Sequence, residues 1–429
     1  MAAIPTNGDS RLVKEASRWS VICGTMLAVV SSLAPGTLAQ SLVIQVPDIL
    51  PGSRDPVLIL DGRDRPWLIA ISDSGDVGAG YVEGGVWVPA LSARVWSRVD
   101  YPYSATLDSV QRVWVMYADS GKVVGYSPPH LHVGYFSGGA WKEADNIVLG
   151  RHLVTPALPY YDRSYAFAKG QGIEYCLTLK LSNGDADFQT KHITGMNVLQ
   201  LVDLGSDRNV SFRGVIQLGS ALGIGYDRGD SYVGNNFHWG SHVRLLRETG
   251  DYVTEFSNGS YDEGPGVGGA FGDRVSSVVW GSSGQDAVVL IRKTTWNYYF
   301  WGPPGNGDPN GSTRYLICRQ SGFSITEWDS IPDLVPSGDR AAATQGAGPA
   351  RLAWTYRDSI RVINLNGHTW SDPLTLSDQA ADSSRSVVGI ANSGDSSFWI
   401  TYSGMKSGVK RSFLVHVADR FTYGNAFHR

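Results

Sequence analysis

The sequence predicts an all-β fold, a single β-propeller of seven blades, with six or eight as alternatives. Three observations predict it. The chain is rich in glycine and aromatics and poor in charge, with 51 Gly, 14 Trp, 20 Tyr, 13 Phe and 18% charged residues among 429. Such a composition suits many short strands joined by tight turns better than a helical bundle or a disordered chain. A strand-like aromatic segment recurs along the chain, and a glycine-before-tryptophan unit recurs between its copies. A period near 50 residues with several strands per unit is the mark of radial sheet repeats.

The elements follow in chain order. Arg11, Lys14 and Arg18 form a cationic region, Val21 to Leu33 is an apolar run of 13 residues, and Thr37-Leu38-Ala39 offers small residues at a cleavage site. Residues 1–39 therefore read as a signal peptide. The run is shorter than the roughly 20 residues needed to cross a bilayer, and no later segment is long and apolar enough. A secreted or periplasmic protein, free of the membrane once the signal is removed, is expected, with residues 40–429 as the propeller domain.

The aromatic strands begin at Pro66-Trp67-Leu68-Ile69-Ala70-Ile71 and return as Arg112-Val113-Trp114-Val115-Met116-Tyr117, Arg351-Leu352-Ala353-Trp354-Thr355-Tyr356 and Ser397-Phe398-Trp399-Ile400-Thr401-Tyr402. Each is β-branched and aromatic, and each is followed by an Asp-, Ser- or Gly-rich turn. Gly84-Gly85-Val86-Trp87, Gly138-Gly139-Ala140-Trp141 and Asn366-Gly367-His368-Thr369-Trp370 form the second unit. Trp67 to Trp114 spans 47 residues, Trp87 to Trp141 spans 54 and Trp354 to Trp399 spans 45. Trp296-Asn297-Tyr298-Tyr299-Phe300-Trp301 and the Gly/Pro/Asn-rich stretch after it make one repeat longer, which reads as an extended hairpin and loop. One blade cannot bury its own faces, so the repeats form one domain rather than several.

This pattern resembles the repeat of bacterial secreted propellers of the sialidase-like, or BNR-like, group. The resemblance covers most of residues 40–429 and implies the fold. It leaves open sialidases, polysaccharide lyases and non-catalytic binding propellers, because fold alone does not choose function. Ser74-Gly75-Asp76-Val77-Gly78-Ala79-Gly80-Tyr81 matches the spacing of that group's Asp-box once, but it follows the first aromatic strand directly and reads as an ordinary turn.

Candidate chemistry rests on few residues. His130 and His132, two apart on a strand, share one face. Tyr161 and Arg163 come next, then His238, Trp239, His242 and Arg244. Lyases that resemble this group pair an arginine, which neutralises the uronate carboxylate, with histidine or tyrosine for proton transfer. His130, His132, Tyr161, Arg163, His238, His242 and Arg244 are therefore the catalytic candidates, though no spacing joins them into one motif. Trp239, Trp296, Tyr298, Tyr299 and Trp301 are candidates for stacking on a sugar or, equally, for cross-strand packing. His130 and His132 lack a third ligand at close spacing, so no metal site is expected, nor a cofactor. With 36 basic against 40 acidic residues no cationic excess faces a phosphate backbone, and nucleic acid is not an expected partner. Cys176 and Cys318 are expected as free thiols, since a bridge needs Cα atoms within about 7 Å. The expected protein is a monomer that binds an extracellular ligand, carbohydrate first and protein second. A propeller lyase is the enzymatic alternative, ahead of a sialidase, and an interaction scaffold is the third reading.

Overall fold

The computed structural model describes residues 40–46, 56–119, 130–148 and most of 348–418, together with the backbone of the strands between 161 and 344. All of the regular elements described are strands, in seven antiparallel sheets. The first sheet holds β2 (Val57–Leu60), β3 (Pro66–Ile71), β4 (Asp76–Glu83) and β5 (Val86–Arg94), and the second holds β6 (Val99–Leu107), β7 (Val113–Asp119), β8 (His130–Ser137) and β9 (Ala140–Val148). The third runs through β10 (Tyr161–Lys169), β11 (Gly172–Lys180), β12 (Ala186–His192) and β13 (Val198–Asp203). The fourth runs through β14 (Asn209–Leu218), β15 (Ala221–Val233), β16 (Asn236–Arg247) and β17 (Tyr252–Asn258). The fifth contains β18 (Tyr261–Asp262), β19 (Gly269–Ser283), β20 (Asp286–Tyr299), β21 (Asn310–Arg319) and β22 (Ser324–Trp328). The sixth contains β23 (Ala341–Ala343), β24 (Ala350–Tyr356), β25 (Ser359–Asn366), β26 (Thr369–Trp370) and β27 (Leu374–Leu376). In the seventh, β28 (Ser383–Asn392), β29 (Ser397–Lys406) and β30 (Val409–Ala418) are joined by β1 (Gln40–Gln45), which pairs antiparallel with β30.

Among the described residues, the sixth, seventh, first and second sheets bury their faces on one another in that order. Trp67, Ile69 and Ile71 of β3 alternate toward the second sheet and meet Val113, Val115 and Tyr117 of β7. Leu68, on the opposite face of β3, packs with Trp399 and Leu414 of the seventh sheet, with Ile44 of β1 and with Val46 just after it. Ala353, Ile360 and Val362 of the sixth sheet meet Phe398, Ile400 and Tyr402. Among the described residues the first sheet thus packs on the second and on the seventh, and the seventh on the sixth as well, as a repeat of this size requires.

One corner recurs with the same chemistry. Asp61 Oδ1 accepts from the Arg63 and Arg65 amides, while its Oδ2 accepts from Arg65 Nε and the Trp67 indole. Asp108 repeats the pattern with Val110, Arg112 and Trp114. The sequence unit is Asp-x-x-x-Arg-x-Trp, in which the carboxylate closes the turn and satisfies a buried indole. Trp354 does not belong to this set, although it is grouped with Trp67 and Trp114 by sequence. Thr344 N bonds Arg351 O as Asp61 N bonds Arg65 O, so the position matching Trp67 is Ala353. Trp354 stands one residue further on, and one step along a strand turns a side chain to the other face.

The glycine–tryptophan unit is also a packing device. Gly84, Gly85, Gly138 and Gly139 all have positive φ, as a tight hairpin turn demands. A Cβ on Gly80 would lie 2.4 Å from the Trp87 ring, and one on Gly134 would lie 2.5 Å from that of Trp141. The bare strand position receives the indole of the next strand. Cys176 stands on β11 and Cys318 on β21, strands of different sheets, with side chains outside the described residues.

His416 on β30 touches the Trp399 ring at 4.5 Å, and burial pushes its imidazole below the ordinary histidine value of 6.5. The unfolded chain then takes up the proton first as pH falls, so stability is full above about 6.5 and declines below it. Urea unfolding at pH 7 and pH 5 checks this: His416→Phe, which keeps an aromatic ring on Trp399, is expected to lose less stability over that interval than the wild type.

Candidate functional site

The second sheet departs from the first at one end. Ser72 and Asp76 flank the β3–β4 connection four residues apart, whereas their counterparts Asp119 and His130 flank the β7–β8 connection eleven apart. That difference of seven accounts for the two tryptophan spacings, 47 before the connection and 54 after it. In the first sheet the corner is a plain hairpin, with Asp76 N donating to Ser72 Oγ at 3.0 Å and Ser74 Oγ donating to Asp76 Oδ2 at 2.5 Å. The apparent Asp-box is this turn. In the second sheet His130 N donates to Asp119 Oδ1 at 2.7 Å, the same closure made with other side chains.

Around that closure a polar cluster forms on the face of the second sheet that meets the first. His130 and His132 share this face, their rings 6.0 Å apart and near parallel. Tyr117, across from His132 on β7, stacks on its ring at 5.0 Å. His132 Nδ1 lies 2.5 Å from Glu143 Oε1, and Nε2 lies 3.2 Å from Asp119 Oδ2. Carboxylates only accept, so both contacts are hydrogen bonds when the imidazole carries two protons. His130 Nδ1 donates to Asn146 Oδ1 at 2.6 Å.

A bulge makes the cluster possible. Gly134 pairs with Glu143 and Val133 with Asp145, which leaves Ala144 extra on β9. Without it, Glu143 and Asn146 would sit on opposite faces of the strand; with it, both face His132. His132 is 9% exposed, and the Asp119 and Glu143 side chains are 21% and 22% exposed, so the cluster is rooted in the sheet and open at its rim. Burial pushes the Tyr117 hydroxyl up to about 12, and the charges of Glu143 and Asp119 push the same way against the hydrogen bond from Ser97. Tyr117 is therefore a neutral phenol, not a proton-abstracting phenolate, at any physiological pH.

Of the residues expected from sequence, His130 and His132 are brought together. Tyr161 and Arg163 stand on β10 of the third sheet, and His238, Trp239, His242 and Arg244 stand on β16 of the fourth. Trp296, Tyr298 and Tyr299 stand on β20, whose backbone pairs Trp296 with Gly272 of β19. Their side chains, and Trp301 altogether, lie outside the described residues. Asp119, Glu143 and Asn146 are the partners that the sequence reading missed. The signal for them is the seven-residue excess between Trp114 and Trp141. Among the described residues no group of three or more His, Cys, Asp and Glu is arranged to hold a metal ion.

No protein-family model matches the chain, and no curated protein is similar to it in sequence. Solved structures similar to it include the α-L-arabinofuranosidase Arb93A of Fusarium graminearum, at 11% identity over 89% of this chain and 98% of that one, with a TM-score of 0.46. The α-L-arabinanase of Penicillium chrysogenum matches at 7% identity over 85% and 98%, with a TM-score of 0.41. Hydrazine synthase of Kuenenia stuttgartiensis matches at 11% identity over 89% and 98%, with a TM-score of 0.47. Likenesses at this level assign no activity, and function is read from this chain's own residues.

Proposed function

We propose that the protein is a secreted or periplasmic propeller that binds a neutral extracellular carbohydrate in the crevice between its first two sheets. In this reading the seven sheets are seven blades, and β1 closes the ring by completing the last of them. It starts at Gln40, directly after the expected cleavage site, so removal of residues 1–39 leaves it whole. The observation that carries the reading is the cluster of His130, His132, Asp119, Glu143 and Asn146, which stands where the first sheet has an ordinary hairpin corner. Partly exposed amide, imidazole and carboxylate groups where two sheets meet are the partners that vicinal hydroxyls need, and the two carboxylates repel an anionic uronate.

Binding is favoured over catalysis by geometry. A two-carboxylate hydrolase leaves space between its acids for substrate and water, and here the His132 ring fills that space. A lyase needs a base free to take a proton beside a cation for the uronate carboxylate; both nitrogens of His132 are engaged, and His130, with Nδ1 on Asn146, stands beside Asp119 rather than an arginine. Calorimetry of the protein against a panel of neutral and uronate-containing glycans tests this. A neutral glycan should bind, with affinity reduced about tenfold or more in His130→Ala/Asn146→Ala, from the loss of two hydrogen-bonding groups worth roughly 0.5–1.5 kcal/mol each. No binding to any neutral glycan, or formation of unsaturated uronate from a polymer, would overturn the reading.

A further inference from the structure

Trp96 lies in the connection between β5 and β6 and is 69% exposed, while its neighbours Val95 and Val99 are buried. That connection is fastened at both ends. Val95 N donates to Gly75 O at 2.8 Å, and Val99 N donates to Asp73 O at 3.1 Å. A Cβ on Gly75 would meet Ser97 O at 2.5 Å, so the β3–β4 turn and the connection touch backbone to backbone. The indole is therefore displayed from a fixed backbone. A large aromatic side chain left in water forgoes the gain of burial, and the packing of the two sheets does not require it at this position.

What lies beside Trp96 gives it a use. The hydroxyl of the next residue, Ser97, donates to Tyr117 Oη at 3.3 Å, and the Tyr117 ring stacks on His132. In both sheets the strands run antiparallel, so the β5–β6 connection, the β3–β4 turn and the Asp119–His130 closure leave from the same end. Trp96 thus lies at the same end of the two sheets as the polar cluster, one residue from the serine that bonds Tyr117. We propose that Trp96 is the stacking platform of the saccharide site, covering the C–H face of a neutral pyranose ring while His130, Asn146 and Glu143 take its hydroxyls. An apolar plate beside a few convergent polar groups is the usual composition of a small-ligand site, and a pyranose presents one face to each.

This inference rests on the carbohydrate reading above, and its test separates the two. Full-length wild type, Trp96→Ala and Trp96→Phe are titrated with β-linked gluco-, manno- and galacto-oligosaccharides and with arabinan oligosaccharides. In parallel, N-bromosuccinimide oxidation of Trp96 is followed by peptide mass spectrometry with and without sugar. The expected result is binding of a pyranose oligosaccharide that protects Trp96 from oxidation, weakened about tenfold or more by Trp96→Ala and less than about threefold by Trp96→Phe, with thermal unfolding unchanged because the side chain is exposed. Equal affinity in wild type and Trp96→Ala, with oxidation unprotected, overturns the role of Trp96 and leaves the carbohydrate site standing. Preference for the furanose arabinan oligosaccharides overturns the pyranose assignment, and failure of every sugar to bind wild type overturns both readings.

Discussion

Asp108→Ala is expected to lower stability by about 2–4 kcal/mol, the cost of leaving buried donors without their acceptor. The carboxylate is fully buried and accepts from the Val110 amide at 3.1 Å, the Arg112 amide at 2.9 Å, Arg112 Nε at 2.7 Å and the Trp114 indole at 2.8 Å. Alanine leaves the buried Trp114 indole without its acceptor, while the partly exposed Arg112 side chain turns to water. A double-mutant cycle isolates the indole's share: Trp114→Phe should cost less in the Asp108→Ala background than in wild type. Urea unfolding midpoints read both effects, and a loss below about 1 kcal/mol would show that the corner is not a structural anchor. The sister residue Asp61 adds a pH dependence. Burial alone would raise its carboxyl, but the Trp67 indole and the Arg63 and Arg65 donors outweigh it, and the group titrates below its ordinary 3.8. A depressed carboxyl contributes stability above the unfolded value and loses it as pH falls through the folded one. Asp61→Asn should therefore flatten the acid limb of the stability profile below about pH 4 and leave its slope near neutrality unchanged.

The parts of this molecule that a sequence displays are those whose cause is local. The Asp-x-x-x-Arg-x-Trp corner and the Gly-Gly turn before Trp87 and Trp141 are closed within a few residues of chain, and so the repeat is visible without a structure. Trp354 shows where that fails. Arg351-Leu352-Ala353-Trp354 looks like Arg112-Val113-Trp114 displaced by one, and only the Thr344–Arg351 closure reveals which residue faces which neighbour. His130 and His132 declare themselves by their spacing, but Asp119, Glu143 and Asn146 reach them across strands, and the bulge at Ala144 breaks the alternation by which a face is read. The exposure of Trp96 is a tertiary property and has no sequence signature at all. The difference between 47 and 54 residues is the one trace of the longer connection that the sequence carries, and within a period near 50 it passes for ordinary variation.

Deleting Gln40–Val46 is expected to have the larger effect, because it removes an entire strand and the apolar contacts between two sheets together. β1 pairs with β30 from Gln40 opposite Val417 to Gln45 opposite Phe413, and Val46 N then donates to Ser412 O at 3.1 Å. Each backbone bond is worth only about 0.5–1.5 kcal/mol. The side chains add to them, since Ile44 and Val46 are buried with Leu68 and Val82 of the first sheet and Trp399 and Leu414 of the seventh. The segment therefore stitches the last sheet to the first, and without it both lose a covered face while β30 becomes a bare edge open to pairing with another chain. The combined loss is comparable with the whole stability margin of about 5–15 kcal/mol for a folded domain. The deleted chain should unfold at markedly lower urea concentration and associate on concentration, seen as a shift in light scattering. Val46→Ala, which keeps the strand and removes only two methyl groups, should cost no more than about 2 kcal/mol and leave the light scattering of the wild type unchanged. If the deletion and Val46→Ala behave alike, the strand is an ornament of the seventh sheet. If they differ as stated, β1 and β30 share a sheet for a mechanical reason: the first and seventh sheets both bury apolar side chains on the segment that joins them, and neither can cover that face without it.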